Sequence, residues 1–165
     1  MHKSIAVDLA LITDDDALLR DGELSLVKTA KPHDAHTLYR LHTVPGIGTM
    51  LRLVLLDDIH DSARFPRVQD CASYCRLITC ARASAGKRSG TSGATIGNAH
   101  LTWAFSEAAG LFLRDNPAAQ KVLSRFEPKH GKGKALTILA HTWARAVYDM
   151  LKRQTACDLQ PCLQA

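Results

Sequence analysis

From Thr79 to Gly97 the chain reads TCARASAGKRSGTSGATIG, a stretch dense in Gly, Ser, Thr and cations, and on both sides the pattern becomes helical. Ser73–Ile78 reads as the end of one helix and Asn98–Glu107 as the opening of another. This interruption limits the fold more than any other feature, because two apolar helices must pack while a long polar insertion leaves the core between them. Ordering so much glycine is entropically unfavourable. An ordered loop of this kind is therefore a candidate for function. No strand signal is convincing here or elsewhere, so the insertion is expected to be a loop.

Helical spacing recurs along the rest of the chain. In Lys3–Lys31, Ile5, Ile12, Leu19 and Leu26 stand seven residues apart. Leu9 fills one intervening position, whereas Asp16, Glu23 and Ala30 break the seam and Gly22 weakens the middle. This is either a coiled-coil arm or a packed amphipathic helix. It begins near Met1 without an evident cap, as the second half of a longer helix would. Pro32 is expected to end it, with Asp34 capping a short helix over Ala35–Thr43. Pro45-Gly46-Ile47-Gly48 then precedes an apolar helix, Thr49–Ile59. Helix, Pro-Gly-Ile-Gly, helix is the pattern of a helix-hairpin-helix. Its glycines allow a sharp turn, and the first amides of the second helix can face a phosphate. Gly46 and Gly48 are therefore candidate phosphate-binding positions, and a plain helix-helix corner is the other reading. Further helices are expected from Pro66 to about Leu77, over Asn98–Arg114, from Asn116-Pro117 to Phe126, and over Ala135–Arg153. A basic turn, Pro128–Lys134, precedes the last of these. Its buried stripe should be Leu136, Leu139, Trp143, Ala146, Val147 and Met150.

These patterns give an all-α, multi-helix domain with a helix-hairpin-helix element, preceded by a long coiled-coil-like N-terminal helix. The expected segments are 1–31 (linker or coiled-coil remnant), 32–154 (domain) and 155–165 (tail). No internal repeat is found.

Composition removes several functions. The first apolar run is short and acid follows it, which excludes a signal peptide, and no run spans a membrane. A cytoplasmic protein is expected. Five cysteines form no CxxC pair, so free thiols are expected. The eight histidines include no HExxH, and no metal site is expected in this chain. Ser84-Ala85-Gly86-Lys87 is not a phosphate loop, because Ala81 and Arg88 stand where Gly and Ser or Thr are required. A net charge of +5 permits a polyanionic partner.

Two cationic clusters remain. In the first, Arg82, Lys87 and Arg88 flank the hydroxyls of Ser84, Ser89, Thr91 and Ser92. A serine needs activation or charge stabilisation to attack, and cations suit a phosphoryl target. Composition alone favours the plainer reading, a solvated basic loop. In the second, Lys129, His130, Lys132 and Lys134 precede the last helix, where cations oppose its dipole and an anionic partner would account for them.

Pro45–Gly48 (PGIG), Arg64–Ala109 (RFPRVQDCASYC through TWAFSEAA) and His130–Arg153 (HGKGKALTILAHTWARAVYDMLKR) together resemble the C-terminal transposase domain of the insertion-sequence family one-ten. The likeness covers most of the chain, and the first helix matches the end of the family's coiled-coil linker. The resemblance implies DNA recombination at a composite site. A RuvC-like N-terminal domain supplies four acidic residues that bind magnesium. The C-terminal domain supplies a serine that links covalently to DNA, and a bridge RNA selects target and donor. The position matching that serine is Ser84, with Ser89 and Ser92 as alternatives. Arg82, Lys87 and Arg88 would assist at the phosphate, and Lys132 and Lys134 add nucleic-acid contacts. Partners implied are DNA, a bridge RNA, and a second copy or another transposase chain through the first helix.

The chain departs from the family in lacking the RuvC-like domain. Asp14, Asp15 and Asp16 are consecutive on a helix and point in different directions, so they cannot replace it. Ala94 stands where more positive charge is expected. The sequence therefore reads as a truncated or split transposase, inactive alone, with no cofactor of its own. Two other functions fit the residues: a non-catalytic helix-hairpin-helix module that binds nucleic acid, and a helical protein-interaction domain.

Overall fold

The structure, a computed structural model, describes residues 2–78, 80–84, 87–92 and 96–158, with 80–84 and 87–92 described by their backbone. The chain divides into two compact units, residues 1–35 and 36–165. In the first, helix α1 (His2–His42) begins. Ile5, Leu9, Ile12, Leu19 and Leu26 are each more than half exposed along it. The helical pattern runs through Pro32 and is interrupted at Asp34, whose φ of −155° and ψ of 76° are non-helical. The break thus falls on the residue expected to cap the second segment, two positions beyond the expected end of the first.

The second unit is built around α6 (Lys132–Arg153). Leu139, Ala140, Trp143, Ala144, Val147, Met150 and Leu151 are buried on it at spacings of three and four. That stripe meets α3 (Val68–Tyr74), α4 (Ala99–Asp115) and α5 (Pro117–His130), while α2 (Thr49–Ile59) packs on α4. The expected stripe is largely found, with Leu136 and Ala146 half-buried at its margin. Trp143 is fully buried, its ring 4.3 Å from that of Phe112. Burying each such large apolar side chain stabilises the fold by about 1.5–3 kcal/mol. The Tyr148 hydroxyl donates to the Phe65 carbonyl at 2.8 Å, tying α6 to the turn after Ser62–Arg64, a short 3-10 helix.

Polar side chains set the helix starts. The Asn98 side chain accepts from His100 and Leu101 N–H, and that of Asn116 accepts from Ala118 and Ala119 N–H, with Pro117 opening α5. These caps satisfy amides that have no partner within their helices. α2 spans Thr49–Ile59 as expected.

Three expectations are corrected. Pro66 lies outside α3, because Arg67 is its N-cap and bonds back to Asp70. The basic turn from Pro128 to Lys134 shrinks to Gly131, whose φ of +78° reverses the chain in one residue. α5 therefore continues through Pro128 to His130, losing one backbone bond in its last turn. The Gly-Ser-Thr insertion contains an antiparallel ribbon, β1 (Cys80–Ser84) with β2 (Lys87–Ser92). It is held by backbone pairing and lacks apolar alternation, so it carries no strand signal in the sequence. Among the described residues the fold is otherwise all-α, as expected.

Candidate nucleic-acid interface

The root of the ribbon is held from several sides. Arg76 adopts a φ of +55°, and its Nε and Nη2 both donate to the Gly97 carbonyl, at 3.0 and 2.7 Å. The Asn98 N–H donates to the Tyr74 carbonyl at 2.7 Å. Thr102 Oγ1 donates to the Cys75 carbonyl at 2.9 Å, and Asn98 Nδ2 to Asp58 Oδ1 at 2.7 Å. Gly97 has a φ of +114°, and a Cβ there would lie 2.5 Å from the Tyr74 carbonyl oxygen. Only glycine fits this closure. Beneath it, Cys71 and Cys75 are buried free thiols, as expected of these two. The hydrogen bond with the neighbouring Cys71 thiol, and then burial, push the Cys75 thiol upward, so it remains protonated. An isolated two-stranded ribbon is marginal in water, and a root closed in this way supplies the missing constraint.

Along the ribbon, Ser84 pairs with Lys87, Ala83 with Arg88, and Arg82 with Gly90. The pairing slips between Arg82 and Ala83, which leaves Ser89 as the extra residue of a bulge. Strand alternation assigns positions 82, 84 and 87 to one face and 88 to the other. The register thus separates the alternative serines: Ser84 stands at the end of β1 away from the root, Ser89 in the bulge, and Ser92 opposite Cys80 at the root.

Beside the root lies an open cleft of about 630 Å³. One wall is Arg76, Leu77 and Ile78, the segment leading to the ribbon. The other is His130, at the end of α5, with Lys134, Thr137, Ile138 and His141 of α6. Lys134 from the second cationic cluster thus meets the segment that leads to the first. Lys132 is exposed in the same turn of α6, which has neither an acidic residue nor a side-chain cap. Burial, with the charge of Arg145 adding to it, holds His141 below the ordinary histidine range. Its imidazole is therefore neutral at pH 7.

The Pro45–Gly48 corner is separate. Gly46 has a φ of +82°, and a Cβ there would fall 2.5 Å from the Ala108 carbonyl oxygen and 3.0 Å from the Phe112 N, so this glycine seats the corner against α4. Gly48, with a φ of −76° and nothing within 4 Å of an added Cβ, is the exposed N-cap of α2 and makes no side-chain cap bond. α2 runs antiparallel to α4, its end meeting Asn98 through Asp58. From Ala108 back to Asn98, α4 rises about 15 Å, which separates the corner from the ribbon root.

Sequence reasoning missed Arg76 and His141. Arg76 was visible as a cation at the edge of the insertion, but its hold on Gly97 was not. His141 has no local signature. Magnesium does not fit the described residues. No group of three or more His, Cys, Asp or Glu comes together among them. Asp14, Asp15 and Asp16 are successive exposed residues of α1.

A family model described as "Transposase IS116/IS110/IS902 family" matches residues 38–124. The match takes in the corner, α2, α3, the ribbon, α4 and part of α5. No curated protein matches the chain. Among the described residues, no helix is long and apolar enough to cross a membrane.

Proposed function

Because the chain belongs to the IS116/IS110/IS902 transposase family, we propose that it is a C-terminal transposase domain whose ribbon presents Ser84 to a DNA phosphate. The observation that carries this reading is the register: Ser84 stands directly opposite Lys87, with Arg82 at the next position on the same face. In the proposed step Ser84 Oγ attacks the scissile phosphorus. An O–P ester to the protein forms as the Ser84 hydroxyl gives up its proton, the bond to the leaving sugar oxygen breaks, and that oxygen takes up a proton in turn. One phosphodiester replaces another, so no oxidant, reductant or nucleotide triphosphate is needed. Arg82 and Lys87 offset the charge that develops on the phosphoryl oxygens. Arg88, on the opposite face, would hold a flanking phosphate.

No step is routed through a metal in this chain. The magnesium-binding acidic residues implied by the family would come from a RuvC-like domain, and recombination would need both parts of that composite site. Gly48, Lys132 and Lys134 add backbone contacts that position the strand without reading sequence. Gly46 supports that corner from within. A structured RNA presents the same phosphates, so a bridge RNA is compatible with these contacts. The exposed apolar positions of α1 favour a helical partner, either a second copy or another transposase chain.

Binding is tested by filter retention of duplex DNA and structured RNA across a salt series. Affinity should fall with log[salt] at a slope of about −0.9 per phosphate neutralised on duplex DNA. Replacing Arg82 or Lys87 by Gln should make that slope shallower by about one phosphate equivalent. Absence of binding at low salt would remove the nucleic-acid reading.

A further inference from the structure

The cleft beside the ribbon root has a use that the serine step leaves open. It is lined by three aliphatic side chains, two cations, two histidines and a threonine, without a carboxylate. Leu77 is buried and Ile78 and Ile138 are half-buried, which makes an aliphatic surface. Lys134 is exposed and contributes a positive charge, and Arg76 contributes a second even while it bonds the Gly97 carbonyl. The His141 imidazole, half-buried and beside Arg145, offers a neutral polar edge. A volume of about 630 Å³ falls within the range of roughly 300–1,000 Å³ usual for clefts that receive a small organic ligand. The ligand that satisfies these features together is anionic at one end and flat and weakly polar at the other.

We propose that the cleft receives one unpaired nucleotide of the strand held by the ribbon, its base against Leu77, Ile78 and Ile138 and its phosphate at Lys134. This inference rests on the nucleic-acid reading above and adds to it a pocket for a base. Ile78 lies two residues before β1, so a nucleotide held here would fix the strand's position relative to the ribbon that carries Ser84. Extruding a base from a duplex has an energetic cost, which is least where the base is already unpaired. The cleft would therefore favour distorted or single-stranded DNA, or an RNA loop, over intact duplex.

The test uses the full chain with a short single strand that carries 2-aminopurine at one position, made once as DNA and once as RNA. Stacking on neighbouring bases quenches this probe. A cleft walled by aliphatic side chains should release it, giving a several-fold rise in fluorescence on binding. A rise with DNA assigns the nucleotide to DNA, a rise with RNA assigns it to RNA, and either result upholds the pocket. Thr137 is exposed on α6, so Thr137→Glu narrows the cleft and repels a phosphate without disturbing the core. It should abolish the rise. Weakening of strand affinity, read by anisotropy, should stay within about tenfold, the equivalent of about 1.4 kcal/mol for one base contact. Lys134→Gln should reduce the rise. Lys121→Gln, which removes an exposed cation of α5 outside the cleft, should not. The pocket is overturned if the strand binds without any rise, if the rise survives Thr137→Glu, or if Lys121→Gln lowers it as much as Lys134→Gln. Failure of both strands to bind overturns the nucleic-acid reading, and the pocket along with it.

Discussion

Gly46 and Gly48 sit two residues apart in one turn, and the structure gives them different work. At Gly46 an alanine would have to hold a φ of +82°, which raises an L-residue by about 1–2 kcal/mol. Its Cβ would lie 2.5 Å from the Ala108 carbonyl oxygen and 3.0 Å from the Phe112 N. Both are backbone atoms of α4, so the overlap is relieved only by moving the helix or the corner. Overpacking of this kind destabilises by about 1–3 kcal/mol. Gly46→Ala should therefore lower stability by about 2–5 kcal/mol, against the roughly 5–15 kcal/mol that holds a typical domain. At Gly48 an added Cβ meets nothing and φ is ordinary. Gly48→Ala should change stability by about 1 kcal/mol or less, through the weaker N-cap alone. Urea denaturation followed by circular dichroism measures both, with an unchanged slope confirming that the shift is in stability. The account of the corner is refuted if Gly46→Ala stays within about 0.5 kcal/mol of the parent, or if the two variants are equally destabilised. Gly48→Asp separates packing from binding. The carboxylate caps α2 and leaves stability intact or raised, while it repels phosphate, so duplex affinity should fall.

Arg76→Met removes two hydrogen bonds to the Gly97 carbonyl. It should cost about 1–3 kcal/mol and raise amide exchange in the ribbon more than in α6. His141 carries a depressed pKa, so the unfolded chain takes up its proton more readily than the folded one. Its contribution is intact above an unfolded pKa of about 6.5 and is lost as pH falls below that value towards the folded one. The urea midpoint should thus fall between pH 7.5 and 5.5 more steeply in the parent than in His141→Gln, and equal slopes would dismiss the effect. Replacing Leu19 and Leu26 by Glu on the exposed face of α1 should lower the sedimenting mass without loss of helicity, if that face binds a second copy. An unchanged mass would count against it.

Much of the helical scaffold was legible because its signals are local. Asn98 and Asn116 announce α4 and α5 by capping them. The three-and-four spacing from Leu139 to Leu151 announces the buried face of α6. Other features depend on contacts far apart in sequence. Nothing near Gly46 reveals that α4 lies against it. The cleft joins residues 76–78 to residues 130–141, which no spacing rule connects. The ribbon escaped notice for a different reason. Strands without apolar alternation carry no strand signal, and cross-strand pairing such as Ser84 with Lys87 is a backbone fact. The choice of Ser84 came from the family resemblance, since composition left four hydroxyls open. The ribbon adds a physical distinction among the three serines, because they occupy its far end, its bulge and its root.

The most direct test of the serine assignment is covalent trapping by complementation. A full-length transposase of the same family, with its own motif serine replaced by alanine, supplies the acidic domain and magnesium. This chain, as parent or Ser84→Ala, is added with labelled donor DNA and resolved under denaturing conditions. The expected result is labelled DNA migrating with the parent chain and none with Ser84→Ala, while Ser89→Ala and Ser92→Ala retain the adduct. An adduct that survives Ser84→Ala, or a parent chain that forms none, would contradict the account.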